Sequence, residues 1–381
     1  MAFDLDSARE RFEASTDFTV AIEEEFHLLD PGSLELVSRF EELRDAAAAD
    51  PVLGESLAGE LIASEIEIRS GRGDDFADAL ARQRDRRRRL FALAGAHGVT
   101  LAATGTHPFS DYRDQRIIDT EHYRRLDAEL RYVAWRNNSW SLHAHVGIRG
   151  ADRATAVCDR LRPVLPTLLA VSANSPYVDG RDSGLHSARS EIFTRVFPRC
   201  GIPEPLGDWA SFAEYLDFLL RTRSIVEYTQ VWWSLRPHLD FGTVEVRICD
   251  AQTTAGESEA LAGLLVGCVA QAARDHDEGR PFRHPEPRRV DENLWRAIRH
   301  GLDGKLIDLD AEEERPAAEA VAALLEWTAP MRAELGIEVA LPELNGAQRQ
   351  RRMIEAGASR EEVFAATVQE TAETYAPEVV A

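Results

Sequence analysis

The sequence predicts an α+β fold: a β-sheet that buries one face against helices and turns its charged face to an active site. Three observations point there. Four short stretches, TVAIEEEF (19–26), LIASEIEI (61–68), SLHAHVGI (141–148) and GTVEVRIC (242–249), alternate apolar residues with carboxylates, imidazoles or a guanidinium, and a period of two marks a half-buried strand. Segments with helical periodicity separate them, the clearest at 75–97, 151–173 and 256–275. The charged faces carry residues that grip metal ions and phosphates, with almost none of the Thr and Lys of an ordinary solvated strand.

The elements follow in order. Residues to about Asp17 read as a short polar helix leading into the first strand, where Val20, Ile22 and Phe26 oppose Glu23 and Glu25 while Glu24 breaks the apolar face. Asp30-Pro31-Gly32 signals a turn, with SLELVS as the return strand of a hairpin. In the second stretch Ile62, Ile66 and Ile68 oppose Glu65 and Glu67. The helical pattern 75–97 ends at Gly98; its run Arg86–Arg89, close to Asp74, Asp75 and Asp78, reads as a solvated helix face rather than a nucleic-acid patch. Residues 98–108 read as a buried strand, and a helix from about 119 to 135 precedes the third stretch, where Leu142, Ala144, Val146 and Ile148 oppose His143 and His145.

The amphipathic helix 151–173 is interrupted by Pro163 and Pro166. Ser172–Pro203, rich in Ser, Gly, Pro and Arg, reads as a long ordered loop of the functional kind. Its Arg181, Arg189 and Arg195 are candidates for gripping a substrate or cofactor. Helices at 211–223 and 256–275 flank the fourth stretch, where Val244, Val246 and Ile248 oppose Glu245 and Arg247. A polar, Pro-rich connection, 277–292, leads to a part that is helical to the end from about 291, with breaks near Pro330, Pro342 and Gly357. No repeat or composition shift divides the chain, so residues 1–381 are expected to form one domain.

Composition narrows the function. A net charge of −22 repels phosphate polymers and argues against a general nucleic-acid or anionic-membrane binder. A phosphate-bearing substrate would need local arginines and metal ions. Lys305 is the only lysine, and no GxxxxGK[ST] appears, which excludes a P-loop. Four widely spaced cysteines without a CxxC pair suit a reducing compartment, and no apolar run is long enough to span a bilayer, so a cytoplasmic location is expected. HEXXH and GxSxG are absent.

The charged faces carry the chemistry. Residues i and i+2 of a strand lie about 6.6 Å apart, and two carboxylates there repel by roughly 2.5 kcal/mol at an effective dielectric of about 20. Several such pairs facing one another need solvent or a cation. Hard oxygen ligands with one imidazole suit Mg²⁺ or Mn²⁺ better than Zn²⁺, and paired ions of this kind serve phosphoryl transfer. Arg247, on the strand of Glu245, and Arg236 in WWSLRPH are best placed to orient a phosphoryl group or a carboxylate substrate. For His143 and for His145 alike, a metal or phosphate ligand stands level with a satisfied structural histidine; Trp232 and Trp233 read as core or pocket wall.

AIEEEFHLLD (21–30), ELIASEIEIRSG (60–71), ATGTHPFS (103–110), SLHAHVGI (141–148), SANSPYVDGRDSGLHSARSEIF (172–193), VWWSLRPH (231–238) and GTVEVRICDAQ (242–252) occur in that order. In these motifs the chain resembles the carboxylate–amine ligases of the glutamate–cysteine ligase type 2 family, within the glutamine synthetase-like superfamily. The resemblance implies an antiparallel sheet with helices on one face and the active site on the other, a glutamine synthetase-like catalytic fold. It implies ATP, Mg²⁺ or Mn²⁺, and a ligation in which a substrate carboxylate becomes an acyl phosphate that an amine attacks. Glutamate and cysteine are the default substrates, with weak activity on that pair and formation of a γ-glutamyl amide bond; a homodimer is an allowed assembly.

Carried over by residue, the resemblance makes Glu23, Glu25, Glu60, Glu67, His143 and Glu245 metal ligands and Arg236 and Arg247 the residues at the transferring phosphoryl group; Arg189 and Arg195 of the Ser/Arg-rich loop are the expected cofactor contacts. Glu60 and Glu67, seven apart, would fall on opposite faces of a regular strand, so Glu60 must precede the strand or cross a bulge. The family typically carries Gly before H-x-H, where this chain has Ser141 and Leu142, and often G-I-E where it has Ala21-Ile22-Glu23. Rival readings are a phosphotransferase acting on a guanidino or amine substrate, and a non-catalytic nucleotide- or metal-binding protein.

Overall fold

The computed structural model describes residues 4–376. Its main sheet has seven strands: β1 (Val20–Leu29), β2 (Leu57–Ala58), β3 (Glu65–Arg69), β4 (Thr100–Ala102), β5 (Ser141–Gly147), β6 (Leu235–His238) and β7 (Thr243–Asp250). Every pairing in it is antiparallel, in the order β6-β7-β5-β1-β3-β2, with β4 beside the end of β1. The four alternating stretches therefore lie side by side as β7, β5, β1 and β3, in the α+β arrangement the sequence predicts.

The apolar face is dry. Ile22, Leu142, Ala144, Val146, Val244 and Val246 share one core with helices Ala151–Leu161, Leu165–Ser172 and Ala255–Asp277. Phe26, Leu28, Ile66 and Ile68 pack with Leu90 and Ala94 of helix Phe76–Ala96. Among the described residues no helix is long and apolar enough to cross a membrane.

Glu24 lies on this apolar face, as strand alternation dictates, and is only 3% exposed. Its carboxylate accepts hydrogen bonds from Gln83 Nε2 at 2.8 Å, from Arg87 Nε and Nη2 at 2.6 Å each, and from the Ser258 hydroxyl. Arg87 sends Nη1 to Glu259 at 2.7 Å, and its guanidinium lies 4.9 Å from the centre of the Tyr375 ring. This corrects the reading of Arg86–Arg89 as a solvated face. Ala79, Gln83, Arg87, Leu90 and Ala94 are the buried stripe of the helix, spaced by three or four as a helix requires, and Arg87 is the member of the run that falls in that stripe.

Other departures have equally local causes. SLELVS forms no return strand: Asp30 binds the Gly32 and Ser33 amides, Leu34 takes φ of 58°, and only Leu36 bridges back to Leu29. The strand read over 98–108 shortens to β4. The 119–135 helix splits into Glu121–Leu130 and Tyr132–Trp135 at Arg131, whose φ is 50°. A 3₁₀ turn over Arg162–Val164 breaks helix 151–173 at Pro163. Pro287 opens helix Pro287–His300 inside the segment read as a connection. The C-terminal part is not wholly helical, since Lys305–Asp308 and Glu313–Pro316 pair as a hairpin. Pro330 lies inside helix Ala317–Glu334, whereas Gly357 falls between helices.

Removing one partner of the Glu24–Arg87 pair strands a buried charge. Arg87→Leu should cost about 3–5 kcal/mol of stability, and Glu24→Leu/Arg87→Leu should recover most of it. Urea unfolding of the two variants beside the parent checks this; equal losses in single and double variants would contradict it.

Candidate active site

The pairing register assembles the charged face. Arg69, Glu23 and His143 stand opposite one another across β3, β1 and β5. Arg236, Glu245 and His145 do so across β6, β7 and β5, and Glu67 faces Glu25. Two groups result, Glu23–His143–Glu245 and Glu25–Glu67–His143, and in each one ligand atom per residue lies within 4.8 Å of the others. His143 is common to both: its Nδ1 is 3.2 Å from Glu23 and its Nε2 is 3.9 Å from Glu25.

His145, read beside His143 but not selected as a ligand, stands equally close. Its Nε2 is 3.3 Å from Glu23 and 3.7 Å from Glu245, and its Nδ1 is 3.0 Å from the Thr243 hydroxyl. Ser141 and Arg69 were missed. Their signal was phase: Ser141 is two residues before His143, and Arg69 two after Glu67. Arg69 Nε lies 3.5 Å from Glu67.

Positive charge is unevenly shared. Glu245 accepts from Arg236 Nε at 2.6 Å and from Arg247 Nη1. Burial would raise its carboxyl, yet Arg236, Arg247 and His145 hold it well below the usual carboxylate range. Glu23 is likewise held low against its burial by His145 and His143. His145 is raised despite burial, by Glu23 and Glu245, whereas burial and Arg247 lower His143. Glu65 and Glu67 go the other way: burial raises both, Glu25 and Glu60 adding to the rise for each and Glu23 for Glu67. Glu60 is pushed up to about 8 by burial and by Glu25. One Glu65 oxygen is buried with no hydrogen-bond partner.

A cleft of about 140 Å³ opens on this second half of the cluster. Glu25, Glu60, Glu65, Ser141 and Arg247 line its floor, and Tyr123, Leu126, Phe193, Phe197 and Trp232 its walls. Glu60 precedes β3, as its spacing from Glu67 demanded, and reaches the floor from the loop after β2.

The Ser/Arg-rich loop is ordered around Asp250 at the end of β7. That buried carboxylate accepts from the Asn174 amide at 2.8 Å, the Ser175 hydroxyl at 2.7 Å and the Ser187 hydroxyl at 2.8 Å. The register of β7 on β5 shifts between Val246 and Cys249. Arg189 spans that bulge, donating to the Arg247 and Ile248 carbonyls at 3.1 Å each. Two of its donors are thus spent on backbone, although it borders the cleft. Arg195 stands apart: it is on the outer side of a π-helical turn, Ile192–Val196, and pairs with Asp291 at 2.9 Å. The turn carries it away from the cluster. Arg181 is exposed on a two-residue strand. Arg236 is close to the cluster but fully engaged, by Glu245 and by the Thr229 and Val231 carbonyls.

The donors fit a hard divalent cation. Carboxylate oxygens and a single imidazole nitrogen in two adjoining sets are what Mg²⁺ or Mn²⁺ takes, and for the crowded acids Glu60, Glu65 and Glu67 burial and mutual repulsion outweigh the nearby arginines.

Residues 19–373 match the sequence pattern of Glutamate-cysteine ligase family 2. A protein of Rubrobacter xylanophilus provisionally named glutamate–cysteine ligase 2-2 is 39% identical over 313 residues, covering 82% of this chain and 80% of the relative. A provisionally named glutamate–cysteine ligase 2 of Solibacter usitatus is 34% identical over 93% of both chains. Among solved structures, the glutamate–cysteine ligase of Francisella tularensis in complex with AMP superposes with a TM-score of 0.66 at 12% identity, over 96% of this chain and 91% of that one. A bifunctional glutathione synthetase of Pasteurella multocida gives 0.69 at 13% identity, over 99% of this chain and 55% of the other. These two likenesses concern the fold.

An unfolded chain ionises Glu60 at the ordinary value of 4.5, whereas the folded one keeps its proton to about 8. The folded state then binds more protons between these values, so stability falls as pH rises through that window. In metal-free protein Glu60→Gln should therefore melt progressively higher than the parent as pH climbs from about 5 to 8, and Mn²⁺ should raise the parent's melting temperature more than the variant's. Scanning fluorimetry across pH, with and without Mn²⁺, checks both; a constant gap would contradict the charge crowding.

Proposed function

The chain belongs to glutamate–cysteine ligase family 2, and from that premise we propose that it is an ATP-dependent carboxylate–amine ligase working through an acyl phosphate. That it is an enzyme forming C–N bonds follows from the family. One observation carries the finer reading: Glu25, His143 and Glu245, from three strands, meet in one buried cluster beside an arginine that faces a cleft.

The order of events follows from the chemistry. The substrate carboxylate attacks the γ-phosphorus of ATP, ADP leaves, and the amine then attacks the acyl carbon, expelling phosphate and losing a proton. Glu23, His143 and Glu245 would hold one divalent ion and Glu25, Glu67 and Glu60 another. Such ions, when bound, offset the charge of the phosphates. Arg247 lines the cleft and gives Nη1 to Glu245 and His143, so its guanidinium stands where a phosphoryl oxygen or substrate carboxylate would be bound. Arg236 fixes Glu245 from behind. The cleft walls of Tyr123, Leu126 and Trp232 exclude water that would hydrolyse an acyl phosphate. Glutamate and cysteine are the proposed pair, with modest turnover.

Phosphate release from ATP and Mg²⁺ should require both amino acids, and hydroxylamine in place of cysteine should yield a hydroxamate. Release indifferent to the carboxylate, or no hydroxamate, would point instead to phosphoryl transfer onto another acceptor. Glu245→Gln should lose turnover on the order of 10²-fold or more while remaining folded at a lower melting temperature, since Arg236 and Arg247 lose their buried counter-charge; normal turnover in the folded variant would refute its place in the site.

A further inference from the structure

We propose that Ser141 is a positioning residue that divides the ligands between the two cation sites, fixing His143 as an Nδ1 ligand and Glu25 as an Oε1 ligand. This rests on the metal-binding reading above and goes beyond it, because the two acidic groups as they stand compete for the same imidazole.

Ser141 is 3% exposed and lies at the start of β5, in phase with His143. Its backbone N–H and its hydroxyl both point at one oxygen of Glu25, Oε2, the hydroxyl at 2.7 Å. The same hydroxyl oxygen is 2.7 Å from His143 Nε2. A hydroxyl has one proton, and a carboxylate only accepts. With that proton given to Glu25, the serine oxygen can only accept from the imidazole, so Nε2 carries the hydrogen and Nδ1 keeps its lone pair.

The lone pair points where a cation is wanted. Nδ1 faces Glu23 Oε2 at 3.2 Å, a meeting of two acceptors that is stable only with positive charge beside it. Arg247 Nη1 at 3.4 Å supplies part of that charge, and a divalent ion among Glu23, Nδ1 and Glu245 would supply the rest. On the other side Oε2 of Glu25 is spent on Ser141, which leaves Oε1 to join Glu67. One hydroxyl thus gives the imidazole to the first group and a single carboxylate oxygen to the second. Outer partners of this kind fix a histidine's tautomer and raise its ligand strength.

Two measurements test this. In metal-free protein with ¹⁵N-labelled histidine, long-range ¹H–¹⁵N spectra should show His143 neutral with its proton on Nε2; an Nδ1–H tautomer or an imidazolium at neutral pH would overturn the proposal whether or not the protein binds metal. Mn²⁺ titration followed by electron paramagnetic resonance should show Ser141→Ala binding about 10-fold or more weakly, with Ser141→Thr, which keeps the hydroxyl, restoring most of the affinity. Unchanged Mn²⁺ affinity in Ser141→Ala would overturn it as well. Absence of Mn²⁺ binding by the parent would sink the metal reading itself, and the imidazole spectrum would still decide what Ser141 does to His143. Melting temperatures of the variants separate loss of folding from loss of position.

Discussion

The structure turns on charge crowded onto one buried sheet face. Glu23, Glu25, Glu65, Glu67 and Glu245 project from β1, β3 and β7, with β5 between β7 and β1 and Glu60 reaching in from a loop. At roughly 2.5 kcal/mol per neighbouring pair such a face would not stay dry and ionised without compensation. The protein resolves it differently in its two halves. Around Glu23 and Glu245, Arg236, Arg247 and the histidines supply charge, and both carboxyls are held low. Around Glu60, Glu65 and Glu67 the charge of Arg69 and Arg247 does not offset burial and mutual repulsion, and all three are raised. The half that lacks compensation is the one the cleft exposes, so an entering cation gains most where the acids are most crowded.

Holding that face together requires the edge of β7 to be fixed, and the long serine- and arginine-rich loop does this. Asp250 gathers the Asn174 amide and the Ser175 and Ser187 hydroxyls, while Arg189 occupies the carbonyls freed by the bulge. The regular register at Glu245 and Val246 points Arg247 at His143, and its Nη1 contacts both Glu245 and His143; the shift follows directly, before Cys249, and Arg189 closes it. The loop contributes to the site chiefly by shaping the strand that carries Arg247, and only secondarily by side chains in the cleft.

Much of this was legible in the sequence because a period of two assigns faces without knowledge of the fold. Glu23-Glu24-Glu25 shows both the reach of that argument and its end. Alternation puts Glu23 and Glu25 together and sends Glu24 to the opposite face, and all three do so. What alternation cannot supply is a partner on another element: Arg87, inside the arginine-rich run of helix Phe76–Ala96, meets Glu24 only because the helix packs there. Register is hidden in the same way, so His143 and His145 were equal by sequence although each meets a different set of carboxylates. The position of Arg195, paired with Asp291 away from the cluster, was hidden for the complementary reason, since a loop without periodicity gives no face at all. The hairpin Lys305–Asp308/Glu313–Pro316 was missed because its charged, partly exposed strands carry no apolar alternation to betray them.

The two arginines nearest the cluster show how far residue type alone can go. Arg236 and Arg247 lie on neighbouring strands and share Glu245, and both were assigned to the phosphoryl group. Arg236 has Nε and Nη2 on Glu245 and Nη1 on two backbone carbonyls, so contact with a ligand would require breaking buried hydrogen bonds. Arg247 makes fewer such bonds, with Nη1 on Glu245 and His143, and lines the cleft. A guanidinium stabilises a transient charge without reorganisation only if a donor is already free and aimed. By that criterion Arg247 is the arginine proposed to meet the reacting groups, while Arg236 pairs with Arg247's neighbour and helps hold the Glu245 carboxyl low, beside His145.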